Sequence, residues 1–247
     1  MTLSISMSAK FSAIPGAVLL DLDNTLYPYD PSHAAAMAQV RAKASKLLSI
    51  SATDFDLLYD KARHDLKQRV GRVAASHSRL LYFQRLLELG GFKTQALIAL
   101  DLEQTYWRSF LMRAHLFEDA LEFLDDLRLL GVPVVIVTDL TAQIQFRKVV
   151  HFGIDRYIDY IVTSEESGAD KPAKASFELA LDKIGQVQGP LWIIGDDPAA
   201  EIAGAADVTN SVSIQKLHDG VKRSDPPADA SFERFADLRN FLAKLKG

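Results

Sequence analysis

Two carboxylates stand two residues apart in the run Asp21-Leu22-Asp23-Asn24-Thr25-Leu26, and the residues before them are apolar. Residues 17–22 read as a buried strand, and open α/β sheets bind ligands beyond the carboxyl ends of their strands. If the extended shape persists, a side-chain period of two points Asp21 and Asp23 toward one side. Two acids so close repel unless one is protonated or a cation relieves them. A divalent metal would do so and would also neutralise the oxygens of a phosphate. Taken alone, the pair is a strand end whose acids cap the following loop.

Three further segments change that balance. Val137-Thr138-Asp139 ends a second apolar run, where a hydroxyl and the next backbone N–H can hold an anionic oxygen; by itself it is an ordinary helix cap. Asp170-Lys171-Pro172 offers a compact positive charge for a phosphoryl group just before a helix, and by itself Lys171 is a surface lysine. Gly195-Asp196-Asp197-Pro198 follows the apolar run Leu191-Trp192-Ile193-Ile194. Gly195 permits a tight exit from the strand, and magnesium favours one or two carboxylates completed by water and phosphate.

The elements that must position these groups alternate. Beyond His115, residues 132–138, 157–163, 191–195 and 208–214 read as strands. Residues 120–130, 141–151, 173–184 and 198–206 read as helices, the last with Pro198 in its first turn. Such alternation predicts a Rossmann-like α/β core of three layers around a parallel sheet. Between Leu26 and His115 no strand is expected. Residues 33–48, 55–70, 80–89 and 94–114 suit helices, with Gly90-Gly91 as a break. The expected division is a catalytic core of residues 1–26 and 116–247 and a smaller all-helical cap of residues 27–115. A last helix carries Phe232, Phe235, Leu238, Leu242 and Leu245 on one face that packs on the core.

Bulk properties narrow the class. The 247 residues are 48% hydrophobic and 24% charged, with a net charge of -4. A nucleic-acid polymer is an unsuitable partner for such a chain. No run of 18 apolar residues offers a membrane span, and residues 1–15 read as a short ordinary leader. Cysteine is absent, which excludes disulfides and thiol chemistry and makes the cytoplasm the default location. The six histidines lack metal-ligand spacing, and His151 is expected near a helix end. Arg69, Arg72, His77 and Arg79 form a basic cluster that reads as a solvated helix face. Tyr27 and Tyr29, beside Pro28 and Pro31, read as hinge packing.

In this order, the four segments resemble those of the haloacid dehalogenase-like (HAD) hydrolase superfamily, in its phosphatase branch with a helical cap after the first strand. The resemblance implies a magnesium-dependent phosphatase acting on a small phosphomonoester. Asp21 would be the nucleophile, forming an aspartyl-phosphate, and Asp23 the acid and base. The Asp21 side chain, the Asp23 backbone carbonyl and Asp196 would hold Mg²⁺, with Asp197 ligating through water or orienting Asp196. Thr138, the backbone at Asp139 and Lys171 would bind the phosphoryl oxygens. Asp23 separates this chain from the haloacid-processing members, which lack that acid. Asp139 departs from the family's usual Asn or small residue, and its side chain is expected to face outward. Glu201 replaces the usual Asp and retains an acid near the metal. A phosphomutase and a catalytically silent binding protein on the same fold are the alternatives.

Overall fold

The computed structural model describes residues 3–205 and 207–245. The chain divides into two compact units, one formed by Met1–Pro28 with His115–Gly247 and the other by Tyr29–Ala114.

The first unit is built on a seven-stranded sheet. Its strands are β1 (Ser4–Ile5), β2 (Ala17–Leu20), β3 (Val134–Thr138), β4 (Tyr160–Thr163), β5 (Leu191–Gly195), β6 (Ser211–Lys216) and β7 (Ala230–Phe232), in spatial order β1-β7-β6-β5-β2-β3-β4. All pairings are parallel except that of β1 with β7. β2, β3 and β5 are buried along their whole length, which is why they read as unbroken apolar runs rather than alternating ones. Ala17, Leu19, Val135, Val137, Leu191 and Ile193 face α8 (Lys174–Ile184) through Phe177 and Ala180. Trp192 meets Phe11 and Phe241, the latter from α10 (Phe235–Leu245), while Phe123 of α5 (Ala120–Leu129) meets Phe235. Helices thus cover both faces, giving the three-layer core.

This unit also holds α6 (Ala142–Phe152), closed by Gly153 in the left-handed region at φ 64, and two short helical turns. These are α7 (Ser164–Ser167) and α9 (Ala203–Ala205). His151 lies in the last turn of α6, as expected.

The second unit consists of helices α1 (Tyr29–Leu48), α2 (Ala52–Val70), α3 (Arg79–Leu89) and α4 (Ala96–Arg113), with a short 3₁₀ turn at Ala74–His77 between α2 and α3. Serines start two of them: Ser51 accepts from Asp54 N at 3.0 Å and Ser78 from Leu81 N at 3.3 Å. Among the described residues no helix is long and apolar enough to cross a membrane.

Three expectations need correction. Ser4–Ile5, within the expected leader, is an edge strand of the sheet. Phe232 belongs to β7 rather than to the last helix, and its ring packs on Phe235 at 5.1 Å. Residues 198–202 form a π turn instead of the start of an α-helix; Met1, Thr2, Ala206, Lys246 and Gly247 lie outside the described residues.

Candidate active site

β2, β3 and β5 are neighbours in the middle of the sheet, and their carboxyl ends bring the first, second and fourth segments together. Asp21 follows β2 directly, Thr138 ends β3, and Asp196 follows β5. Lys171 comes from the loop between α7 and α8.

The chain after β2 does not stay extended. Asn24 adopts φ 63, a left-handed conformation that asparagine tolerates better than most residues. The turn lets Thr25 Oγ1 donate to Asp21 Oδ2 at 3.0 Å and Tyr27 Oη donate to Asp23 Oδ1 at 2.6 Å. Asp21 and Asp23 therefore have different partners. Lys171 Nζ donates to Asp21 Oδ1 at 2.5 Å and to Val137 O at 2.9 Å, and it pairs with Glu201 Oε1 at 2.7 Å. Asp23 is gripped from the other side by Lys148, whose Nζ donates to both carboxylate oxygens at 2.7 and 2.8 Å.

Asp21, Asp196 and Glu201 can each offer one oxygen such that the three lie within 4.8 Å of one another. These carboxylates outnumber the one buried ammonium among them, and their acidities record the imbalance. Burial raises Asp21 above the carboxylate range; Lys171 offsets this in part and the charge on Asp23 adds to it. Burial and then the charge of Asp21 push Asp196 up to about 7. Burial also takes Glu201 to about 8, against the opposing pull of Lys171. Burial works against the charge on Lys171, but Asp21, Glu201 and Asp139 outweigh it and hold the ammonium well above the ordinary lysine range. An all-oxygen set with excess negative charge suits a hard divalent cation.

The π turn explains how Glu201 joins this group. Its wider path swings the Glu201 carboxylate beneath Gly195, where Oε2 accepts Asp197 N at 2.9 Å; such turns recur at functional sites. A Cβ on Gly195 would lie 2.1 Å from Glu201 Cγ. Gly195→Ala is therefore expected to cost about 1–3 kcal/mol by overpacking and to weaken divalent-metal binding as Glu201 is displaced. Chemical denaturation and calorimetric Mg²⁺ titration would check this, and unchanged metal affinity would count against Glu201's place in the cluster.

Thr138 is buried, and its Oγ1 accepts Gln145 Nε2 at 2.5 Å. The Asp139 side chain does not face outward: its Oδ1 accepts Lys171 N at 2.9 Å, so it braces the lysine loop. Asp197 caps the π turn by accepting Ala199 N at 2.7 Å and is exposed, whereas the side-chain contact to Asp196 comes from His218 Nε2 at 3.1 Å. Sequence reasoning missed Lys148, the Tyr27 hydroxyl and His218. Lys148 left a signal: it sits on the same face of α6 as Ile144 and is fully buried, and a lysine on an apolar face needs a charged partner.

The family model for haloacid dehalogenase-like hydrolases matches residues 15–209. A ribulose-1,5-bisphosphate 5-phosphatase of Halopiger xanaduensis is 39% identical over 226 residues, covering 90% of this chain and 93% of the relative. A glyceraldehyde 3-phosphate phosphatase of Methanopyrus kandleri is 25% identical, with 93% and 97% coverage. Among solved structures, a 2-haloacid dehalogenase from Pseudomonas syringae has a TM-score of 0.73 at 21% identity, covering 92% of this chain and 98% of its own. The magnesium-bound HAD-hydrolase YfnB of Bacillus subtilis has a TM-score of 0.67 at 22% identity, covering 92% and 97%.

Proposed function

The chain belongs to the haloacid dehalogenase-like hydrolases, and we propose that it is a magnesium-dependent phosphatase of small phosphomonoesters, with sugar phosphates foremost. The observation that carries this reading is the cluster at the centre of the sheet. A buried carboxylate, Asp21, stands against Lys171 and beside two more acids, Asp196 and Glu201.

Asp21 attacks phosphorus through a carboxylate oxygen; the bond to the leaving oxygen breaks, and Asp23 supplies that oxygen's proton. In the second half, water attacks the aspartyl-phosphate, Asp23 takes its proton, and Asp21 is regenerated with release of inorganic phosphate. Lys171, the Thr138 hydroxyl and the backbone at Asp139 hold the phosphoryl oxygens, where charge accumulates. Asp21, Asp196 and Glu201, with the Asp23 backbone carbonyl, are the groups to hold Mg²⁺, which when bound neutralises charge on the phosphoryl oxygens.

The substrate class draws on the 39%-identical relative, which spans nearly the whole chain and is named for a sugar bisphosphate. Asp23 favours phosphorus over carbon–halogen chemistry, despite the fold shared with a dehalogenase. The silent-protein alternative rested on Asp139, and its carboxylate is occupied with the Lys171 backbone. The test is release of inorganic phosphate from a panel of sugar phosphates, with Mg²⁺ and with chelator. An isomerised sugar phosphate without free phosphate would make the chain a mutase, and inertness across the panel would overturn the reading.

Metal dependence also predicts a stability profile. Asp196 at about 7 and Glu201 at about 8 lie above the ordinary carboxylate range. These two groups therefore hold more protons in the metal-free folded chain than in the unfolded chain from about pH 4 to about pH 8, while His33, lowered by burial to about 4, works the other way over the lower part of that range. Their share of the stability is expected to fall as pH rises through that window. Saturating Mg²⁺ should offset the loss, since it binds the ionised cluster. In a chain of this size each kcal/mol moves Tm by about 2–4 °C, so thermal melts with chelator and with Mg²⁺ should diverge as pH rises. Parallel curves would count against a metal at these acids.

A further inference from the structure

We propose that Gln145 is a positioning residue for phosphoryl recognition: its amide holds the Thr138 hydroxyl so that the hydroxyl proton is free for a phosphoryl oxygen. Its part in turnover rests on the phosphatase reading, in which that hydroxyl holds the transferred group.

Gln145 lies on α6, and its side chain is fully buried. Its Nε2 donates twice, to Thr138 Oγ1 at 2.5 Å and to Asp139 O at 2.8 Å. The second bond identifies the two ends of the amide. A main-chain carbonyl only accepts, so the atom facing it is nitrogen. The same nitrogen faces Thr138 Oγ1, so the hydroxyl oxygen accepts from it and keeps its own hydrogen. Among the described residues that hydrogen has one acceptor, Asp139 O at 3.4 Å, beyond the ordinary range for a hydroxyl donor. The proton is thus loosely held and can turn to an oxyanion at the carboxyl end of β3.

The amide gives something up in this arrangement. Both Nε2 hydrogens are spent, and Oε1 is buried with no hydrogen-bond partner. A buried acceptor left unpaired is costly, and an apolar side chain of similar length would fill the space without that cost. Filling space therefore does not explain a glutamine here; the two donations do, because both go to the segment that receives the phosphoryl group. Lys148 stands three residues on and on the same face of α6, equally buried, and grips Asp23. The two side chains do different work. Lys148 holds the group that moves a proton, and Gln145 sets the direction of a neutral donor. A donor so directed counts most where charge accumulates on the phosphoryl oxygens.

A double-mutant cycle read by calorimetric binding of inorganic phosphate, at saturating Mg²⁺, tests this. With Thr138 intact, Gln145→Met should weaken phosphate binding by about 3- to 10-fold, the usual worth of one neutral hydrogen bond. In Thr138→Val, which has no hydroxyl to direct, the same change should alter affinity by less than about twofold. Thr138→Ser keeps a hydroxyl and should keep the effect of Gln145→Met. Equal losses in all three backgrounds would overturn the proposal and leave Gln145 a structural residue. Should Gln145→Met fail to fold, Gln145→Glu runs the same cycle. Its carboxylate draws the hydroxyl proton to itself, so its loss should be larger with Thr138 intact than in Thr138→Val, and an equal loss would overturn the proposal. The same non-additivity in a chain that hydrolyses no phosphomonoester would sustain the role of Gln145 while removing the phosphatase reading. A wild-type chain that binds no phosphate would overturn the role itself.

Discussion

Asp21→Asn is expected to abolish turnover, lowering kcat by about 10⁴-fold or more. The amide has the shape of the carboxylate, so it can still accept from Thr25, whose Oγ1 bonds Asp21 at 3.0 Å. It has no charge with which to attack phosphorus, and it removes the negative charge that Lys171 Nζ approaches to 2.5 Å. The fold should tolerate the change: burial raises Asp21 above the carboxylate range, so its ionised form is a load on the metal-free native state rather than a support. Loss of activity in a protein that melts at or above the wild-type temperature would therefore report chemistry and not unfolding. Rapid acid quenching with radiolabelled substrate should leave label on the wild-type protein and none on the variant. Labelled variant, or turnover within tenfold of wild type, would remove Asp21 from the role of nucleophile.

Much of this centre was legible because its determinants are local. β2, β3 and β5 are buried on both sides and so read as apolar runs; each delivers its polar group at the first position where the run ends. What could not be read depends on contacts far apart in sequence. The family resemblance put Glu201 near the metal, but its own neighbours read as a helix, and its pairing with Lys171 comes from the π turn below Gly195. Asp139 was expected to face outward, because nothing in its neighbours shows that the Lys171 backbone lies 32 residues away along the chain and 2.9 Å away in space. Arg79 shared a basic cluster with Arg69 and Arg72, which are exposed as expected. Its own guanidinium turns inward because aromatic residues from α3 and α4 converge on it, a tertiary fact with no trace in charge spacing.

Asp23→Asn carries the second large effect, about 10²- to 10⁴-fold in kcat, the usual range for a lost general acid–base group. The substitution should act unevenly across substrates. An alkyl phosphate, whose leaving alkoxide needs a proton, should suffer most; an aryl phosphate that departs as a stable phenolate should suffer least in the first half-reaction. The structure adds a way to separate the proton's role from mere shape. Asp23 is held by the Tyr27 hydroxyl at 2.6 Å and by Lys148 on both oxygens. Lys148 is fully buried, and its ammonium sits 5.7 Å from the Tyr27 ring centroid. Lys148→Met keeps the carboxylate but removes the grip, at a cost of about 1.5–3 kcal/mol for a lost charge-assisted contact. If Asp23 works as the proton carrier and Lys148 as its positioning residue, the lysine variant should reproduce the aspartate variant's leaving-group dependence with a smaller loss of kcat and little change in KM. Equal losses on alkyl and aryl substrates in both variants would place Asp23 in binding or metal positioning and take proton transfer away from it.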